Sequence, residues 1–112
     1  MHDSPKRAVR CVRLATEDAP ALSSLESRCF ALPWTEQAFA EAFAGKTFHA
    51  FGIRETASPL SPRELAGYIA VYHTPDEVEI LNIAVREDRR RHGYGRLLMA
   101  TALQDAKETG IL

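Results

Sequence analysis

Residues 79–95 read Glu-Ile-Leu-Asn-Ile-Ala-Val-Arg-Glu-Asp-Arg-Arg-Arg-His-Gly-Tyr-Gly and are the most informative segment of the sequence. A nearly continuous apolar run over residues 78–85 predicts a central β-strand with both faces buried. Gly93 and Gly95 then free the backbone to curl, and a helix opens at Arg96. The first turn of a helix presents unpaired N–H groups and the positive end of the helix dipole. The segment therefore predicts a cradle for an anion.

Three consecutive arginines at residues 89–91 add local positive charge to this turn. Such a charge density suits a diphosphate better than a single carboxylate. An equally weighted alternative is a solvated basic turn whose glycines serve only to reverse the chain. Two common phosphate-binding motifs are excluded: the chain has no G-x-x-x-x-G-K-S/T segment, and Leu98 stands where G-x-G-x-x-G needs its third small residue.

Including this strand and helix, hydrophobic periodicity and turn residues predict seven elements in the chain. They are a strand near residues 8–14, a helix from Thr16 that ends before Pro33, a helix capped by Thr35 and stopped by a left-handed Gly45, strands over residues 47–54, 65–72 and 78–85, and a helix over residues 95–107 with its apolar stripe on Leu98, Ala102, Leu103 and Ala106 and a glycine stop at Thr109-Gly110. The strands over residues 47–54 and 65–72 are predicted to be antiparallel, because a turn-rich connection joins them. The order β-α-α-β-β-β-α predicts an α/β fold with a mixed sheet. Residues 1–7 are predicted to form a flexible N-terminal tail, and residues 8–112 to form one domain.

Composition narrows the classes of partner. Hydrophobic residues make up 46% of the 112 and charged residues 26%, which is typical of a globular domain. A net charge of −1 provides no general attraction for nucleic acid or an anionic membrane, so neither is expected as a direct partner. Apolar runs too short to span a bilayer, and an N-terminus without a signal core, predict a cytoplasmic protein. The four histidines lack the i, i+4 spacing of a helical metal site, and no metal is expected.

Two separated motifs resemble one family. Residues 90–95 match the Q/R-x-x-G-x-G/A motif of the GNAT acetyltransferases, directly after a strand of matching pattern. Residues 29–36, Cys-Phe-Ala-Leu-Pro-Trp-Thr-Glu, resemble the Phe-x-x-Pro-Trp-S/T stretch of the ribosomal-protein-alanine N-acetyltransferases, the RimI type, and residues 81–85 match the strand of that type. The resemblance extends from about Ala8 to Leu112. It implies the GNAT acyl-CoA N-acyltransferase fold without its last strands.

The resemblance implies transfer of an acetyl group from acetyl-CoA to the N-terminal amine of a protein, such as a small-subunit ribosomal protein, within a ternary complex. Backbone amides of the turn would hold the pyrophosphate, and the strand would pair with the pantetheine arm. Tyr94 is expected to act as a spacer that offers its amide while its ring points outward. The implied cofactor-binding residues are Ile83, Ala84 and Val85 on the strand and Arg90, Arg91, His92, Gly93, Tyr94 and Gly95 in the turn.

Glu79 is the candidate general base, because it lies on the strand beside the expected thioester, where several GNAT enzymes carry a glutamate. The equally weighted alternative is a strand-edge acid that pairs with an arginine. RimI-type enzymes use a glutamate and a tyrosine on later elements, and this sequence has no counterpart of either. Trp34 is predicted to form a wall of the peptide-binding groove, with a core position beside Phe30 and Phe39 as the alternative.

Two other functions stay open: acetylation of a lysine or small-molecule amine, and acyl-CoA binding without catalysis. The sequence stops at Ile111-Leu112, two residues into an expected buried strand. Such an end predicts an unpaired edge, and with it a truncated gene product, an incomplete sequence, or a fragment that dimerises or is completed by a second chain.

Overall fold

The computed structural model describes residues 8–110, so the predicted tail over residues 1–7 and the predicted strand start at residues 111–112 lie outside the described residues. The strands are β1 (Ala8–Arg13), β2 (Phe48–Thr56), β3 (Gly67–His73) and β4 (Val78–Val85), and the helices are α1 (Ala19–Cys29), α2 (Glu36–Ala44) and α3 (Tyr94–Glu108). Short 3-10 turns precede α1 and follow β4. This order confirms the predicted mixed α/β fold. Among residues 8–110, no helix combines the length and apolarity that a membrane crossing requires.

The four strands form one antiparallel sheet in the order β1-β2-β3-β4. Successive residues of a strand point to opposite faces, so β3 packs Tyr68 and Ala70 against α1 and α2, and Ile69 and Val71 against α3. Every residue of β3 except Tyr72 is buried. The sheet therefore has a core on each face, and β3 is its most enclosed strand.

Helix boundaries follow the capping signals in two cases and depart from them in one. The Thr35 hydroxyl accepts a hydrogen bond from the Ala38 amide at 3.0 Å, which confirms the predicted cap of α2. Gly110 has φ +84°, which confirms the predicted left-handed stop after α3. The prediction for Gly45 was wrong, since its φ of −80° and ψ of 159° are extended. Only residues 45–47 join α2 to β2, and the chain runs straight into the strand.

The buried stripe of α3 is narrower than predicted. It consists of residues four apart in sequence, which are Tyr94, Leu98, Ala102 and Ala106. Leu103 was predicted to belong to the stripe but is 41% exposed, because it lies one residue beyond Ala102 around the helix.

Strand β4 is an edge strand in the described part of the chain, so the prediction of a central strand with buried faces is not met among residues 8–110. β3 is its only strand partner among residues 8–110. Ile80 is 44% exposed and Ile83 is 36% exposed. The apolar run correctly predicted a β-strand, but no element among residues 8–110 covers the side of β4 that faces away from β3.

A β-bulge in β4 changes which side chains share a face. Ala70 pairs with Asn82 and Val71 pairs with Ile80, so Leu81 is an extra residue in β4. Residues three apart in a regular strand point to opposite faces. With the extra residue, Asn82 opposite Ala70 and Glu79 opposite Tyr72 both lie on the face that carries α1 and α2.

A buried ion pair ties the turn after β4 to the sheet. The Glu55 carboxylate on β2 accepts two hydrogen bonds from Nε of Arg89, at 3.0 and 2.9 Å, and one from the Tyr94 hydroxyl. Arg89 is 5% exposed and Tyr94 is 7% exposed. Two expectations are therefore corrected: Arg89 does not add free charge to the turn, and the Tyr94 ring packs inward, because both side chains satisfy a carboxylate that could not be buried alone.

The partners of Glu55 set its ionisation. Burial by itself would raise its pKa, but hydrogen bonds from Arg89, Ser58 and Tyr94, together with the Arg89 charge, lower the pKa from 4.5 to about 2. A carboxyl whose pKa is lower in the folded state stabilises the fold above its unfolded-state pKa. That contribution is lost as the pH falls from about 4.5 towards 2.

We predict that Glu55→Gln lowers the free energy of unfolding at pH 7 by roughly 3–5 kcal/mol, because it leaves Arg89 buried without a counter-charge. The difference between wild type and variant should shrink between pH 5 and pH 2, as Glu55 protonates in the unfolded chain first. Urea denaturation at several pH values measures both effects.

Tyr94→Phe, which removes one hydrogen bond to the same carboxylate, should lower the free energy of unfolding by about 1–3 kcal/mol. The control Glu41→Gln, on an exposed helix face, should have little effect on that free energy. A pH-independent difference would contradict the assignment.

Candidate active site

The turn between β4 and α3 is curled by two left-handed residues. Gly93 caps α3 with φ +79° and ψ 11°, and Arg91 has φ +68°. Glycine adopts this region without cost, whereas arginine does so only where the surroundings hold it. The neighbouring Arg89 side chain, anchored on Glu55, is one such constraint. The turn is a fixed loop whose backbone N–H groups point outward at the start of α3.

Most of these amides are available to a ligand. Within residues 8–110, the amides of residues 91–93, of Gly95 and of Arg96 have no hydrogen-bond acceptor. A Cβ atom placed on Gly93 or Gly95 would meet no protein atom within 4 Å, so the space above both glycines is open. Unpaired amides at a helix N-terminus under open space are the geometry of an anion site.

Three exposed arginines surround the cradle. Arg90 and Arg91 were predicted here, and Arg96, on the first turn of α3, takes the place that the sequence analysis gave to Arg89. His92 directs Nδ1 at the carbonyl oxygens of Arg89 and Arg90, at 3.1 and 3.0 Å. Because a carbonyl only accepts, Nδ1 carries the proton, and the His92 ring closes the loop rather than facing the amides.

The free edge of β4 leads into this cradle. The Arg86 amide donates to the Ala66 carbonyl at 2.9 Å, and backbone groups in an antiparallel pair alternate in direction along the strand. Ile83 and Val85 therefore turn their backbone groups away from β3, whereas those of Ala84 face Tyr68 on β3. The Val85 carbonyl accepts from Nε of Arg90 at 3.3 Å and from the Cys29 thiol at 3.8 Å. An extended ligand can pair with this edge as an added strand would.

A buried carboxylate lies beneath the bulge, and the sequence analysis did not single it out. Glu26 on α1 is 2% exposed and accepts hydrogen bonds from the Tyr68 hydroxyl and from Nδ2 of Asn82, the latter at 2.9 Å. Burial raises the pKa of Glu26, against the opposing effect of these two donors. The sequence does contain a signal for Glu26, since this glutamate falls within the apolar stripe of α1. A carboxylate buried there requires hydrogen-bond partners, because an unpaired one would destabilise the fold.

The fixed Asn82 amide borders a small cavity. Since Nδ2 of Asn82 donates to Glu26, its Oδ1 is the atom left to accept a hydrogen bond. The cavity beside it is lined by Trp34, Phe39, Tyr68, Ala70, Leu81 and Asn82. The Trp34 ring packs 5.2 Å from the Phe39 ring yet remains 38% exposed. Trp34 thus packs on Phe39, as the core alternative predicted, and it also lines this cavity, whereas its role as a wall of a peptide-binding groove stays a prediction.

Glu79 is exposed on the same sheet face as Asn82. It has no ion pair or side-chain hydrogen bond among the described residues, so the alternative of an arginine partner is not realised there. That the chain dimerises or is completed by a second chain stays a prediction. The described residues thus combine an anion cradle, a free strand edge and a polar cavity on one strand and its following turn.

Comparison with known proteins places this arrangement in a family. Residues 19–112 match the sequence profile of the Acetyltransferase (GNAT) family. The chain is 30% identical over 98 residues to the ribosomal protein bS18-alanine N-acetyltransferase of Escherichia coli strain K12. That match covers 88% of this chain and 62% of the relative, so the chain spans less than two thirds of the relative's length.

Solved structures agree with the sequence match. The crystal structure of the ribosomal-protein-S18-alanine N-acetyltransferase from Escherichia coli superposes with a TM-score of 0.78 at 28% identity, over 93% of this chain and 63% of that one. The PaiA N-acetyltransferase from Thermoplasma acidophilum, solved in complex with coenzyme A, has the same fold with a TM-score of 0.76 at 13% identity, over 94% of this chain and 76% of that one. The chain belongs to the GNAT acetyltransferase family.

Proposed function

We propose that this chain transfers an acetyl group from acetyl-CoA to the N-terminal amine of a protein, such as a small-subunit ribosomal protein. The observation that carries the proposal is the row of unpaired amides at the start of α3, continuous with the outward backbone groups of β4. A diphosphate attached to an extended amide-containing arm has the shape that this arrangement complements. The likeness to the Escherichia coli enzyme supports a protein as the acceptor.

The amides of residues 91–93 and of Gly95 would hold the pyrophosphate of the coenzyme. Arg90, Arg91 and Arg96 would add charge-assisted hydrogen bonds to the same oxygens. Backbone groups of Ile83 and Val85 would pair with the pantetheine arm, which delivers the thioester beside the bulge. Rigid placement of the reacting carbonyl is the main contribution of these residues, since acetyl transfer needs orientation more than covalent help from the protein.

The acceptor amine would enter along the cavity beside Trp34. The Asn82 Oδ1 atom, fixed by Glu26, would accept a hydrogen bond from the incoming amine and orient its lone pair. The amine nitrogen forms a bond to the thioester carbonyl carbon, the C–S bond breaks, and the thiolate of coenzyme A leaves. Glu79 would take the proton that the amine loses, and the thiolate is then protonated from solvent.

Acetyl-CoA turnover over a peptide panel tests this proposal with the 112-residue chain itself. We expect acetylation of an alanine-headed peptide, detected by mass spectrometry, and none of a peptide with a blocked N-terminus and an internal lysine. Acetylation of the lysine peptide alone would favour the lysine or small-molecule alternative. Calorimetric binding of coenzyme A without turnover of any peptide would instead favour an acyl-CoA-binding module, and no binding would overturn the cradle.

Substitution of Gly95 tests the close approach of a ligand to the cradle. Gly95→Val should weaken coenzyme A binding at least tenfold, because the new side chain projects into the open space above the amides. The matched control is Gly45→Val, at an extended position in the α2–β2 connection. Calorimetry on both variants, with melting temperatures to confirm folding, should show the loss for Gly95→Val alone. Equal affinity in the two variants would contradict the cradle.

Substitution of Glu79 tests the proposed base. Glu79→Gln should leave the Kd for coenzyme A within about twofold while lowering kcat by roughly 100-fold near neutral pH, in the range expected when a general base is removed. Glu77→Gln, an exposed acid in the preceding turn, serves as the control and should retain full activity. Retained kcat in Glu79→Gln would assign the base to another group.

A further inference from the structure

Three side chains with metal-binding atoms converge on the α3 face of the sheet. They are His49 on β2, His73 at the end of β3 and Asp105 on α3. One ligand atom from each side chain lies within 4.8 Å of the others. The centroids of the two imidazole rings are 4.0 Å apart. The register places His49 opposite Val71 and His73 opposite Val78, so the histidines meet across strands and not along a helix.

Two atoms of the cluster are buried without a partner. Neither Nε2 of His73 nor Oδ2 of Asp105 has a hydrogen bond within the described ranges, and the His73 side chain is 7% exposed. The two atoms are 3.9 Å apart, too far for a hydrogen bond. Ligand atoms around a tetrahedral Zn²⁺ with bonds of 2.0–2.2 Å lie about 3.4 Å apart, so a small contraction would bring both into a coordination sphere.

A cation already lies at the edge of this cluster. The Arg13 guanidinium forms an ion pair with Oδ1 of Asp105 and lies 3.1 Å from Nδ1 of His49. The Arg13 side chain is 49% exposed and can therefore swing into solvent. Arg13 is therefore a competitor that a metal ion would have to displace from the carboxylate.

We propose that His49, His73 and Asp105 bind one divalent transition-metal ion, with Zn²⁺ as the reference case and water as a fourth ligand. Two imidazoles and a carboxylate form a donor set that suits Zn²⁺, Ni²⁺ and Co²⁺ and disfavours Mg²⁺ and Ca²⁺. The ion would join β2, β3 and α3 and would stabilise the folded chain by binding it in preference to the unfolded chain. This departs from the sequence-based expectation of no metal, which considered only spacing along a helix.

Calorimetric titration of metal-free protein with Zn²⁺ tests the proposal in a His2→Ala background, which removes a histidine outside the described residues. We expect one Zn²⁺ per chain, at least tenfold weaker binding in His73→Ala and in Asp105→Asn, and unchanged binding in the control Glu41→Gln, an exposed acid on α2. Arg13→Ala should bind Zn²⁺ at least threefold more tightly, a gain that misfolding cannot mimic. Co²⁺ should give the visible absorption of a tetrahedral site.

Three results would overturn the proposal. They are the absence of stoichiometric Zn²⁺ binding in the titration of the parent chain, Zn²⁺ binding that survives His73→Ala, and Zn²⁺ binding seen only after Arg13→Ala. The proposed metal site lies on the sheet face opposite Glu26 and Asn82. The result of the Zn²⁺ titration is therefore independent of the proposed acetyl transfer.

Discussion

The buried contact between Glu55 and Arg89 is the constraint on which the candidate site depends. A carboxylate inside the α3 face of the sheet requires a counter-charge, and the arginine that supplies it comes from the turn after β4. Tyr94 adds a second link from the first residue of α3 to the same carboxylate. The turn is therefore attached to β2 at both of its ends, which leaves the intervening amides exposed and in a fixed orientation.

The bulge in β4 positions the side chains of the other half of the site, Glu79 and Asn82. The extra residue, Leu81, lets Glu79 and Asn82 share a face although they are three positions apart. Glu26 then fixes the Asn82 amide from below. One strand thus offers backbone groups along its free edge and polar side chains on one face, and the proposed function assigns the first to the coenzyme arm and the second to the acceptor amine.

The sequence predicted the order of elements, the antiparallel β2–β3 pair, the Thr35 cap and the glycine turn, because each depends on local periodicity or on a single residue's backbone preference. It did not predict which arginine is buried, since all three arginines of residues 89–91 look alike until the distant Glu55 selects one. Nor did it predict that β4 is an edge within residues 8–110, because an apolar run indicates the tendency to be buried and not the presence of a neighbouring strand. The bulge, the buried Glu26 and the meeting of His49 with His73 all depend on register between strands.

Trp34 is the single tryptophan of the chain, and it stands with its ring partly in solvent at the cavity beside Asn82. Indole emission is sensitive to the polarity around the ring, and no second indole contributes a background signal. The fluorescence of the unlabelled protein therefore reports on whether that cavity is wet or filled, and the chain carries its own optical probe of the entry route that is proposed for the acceptor.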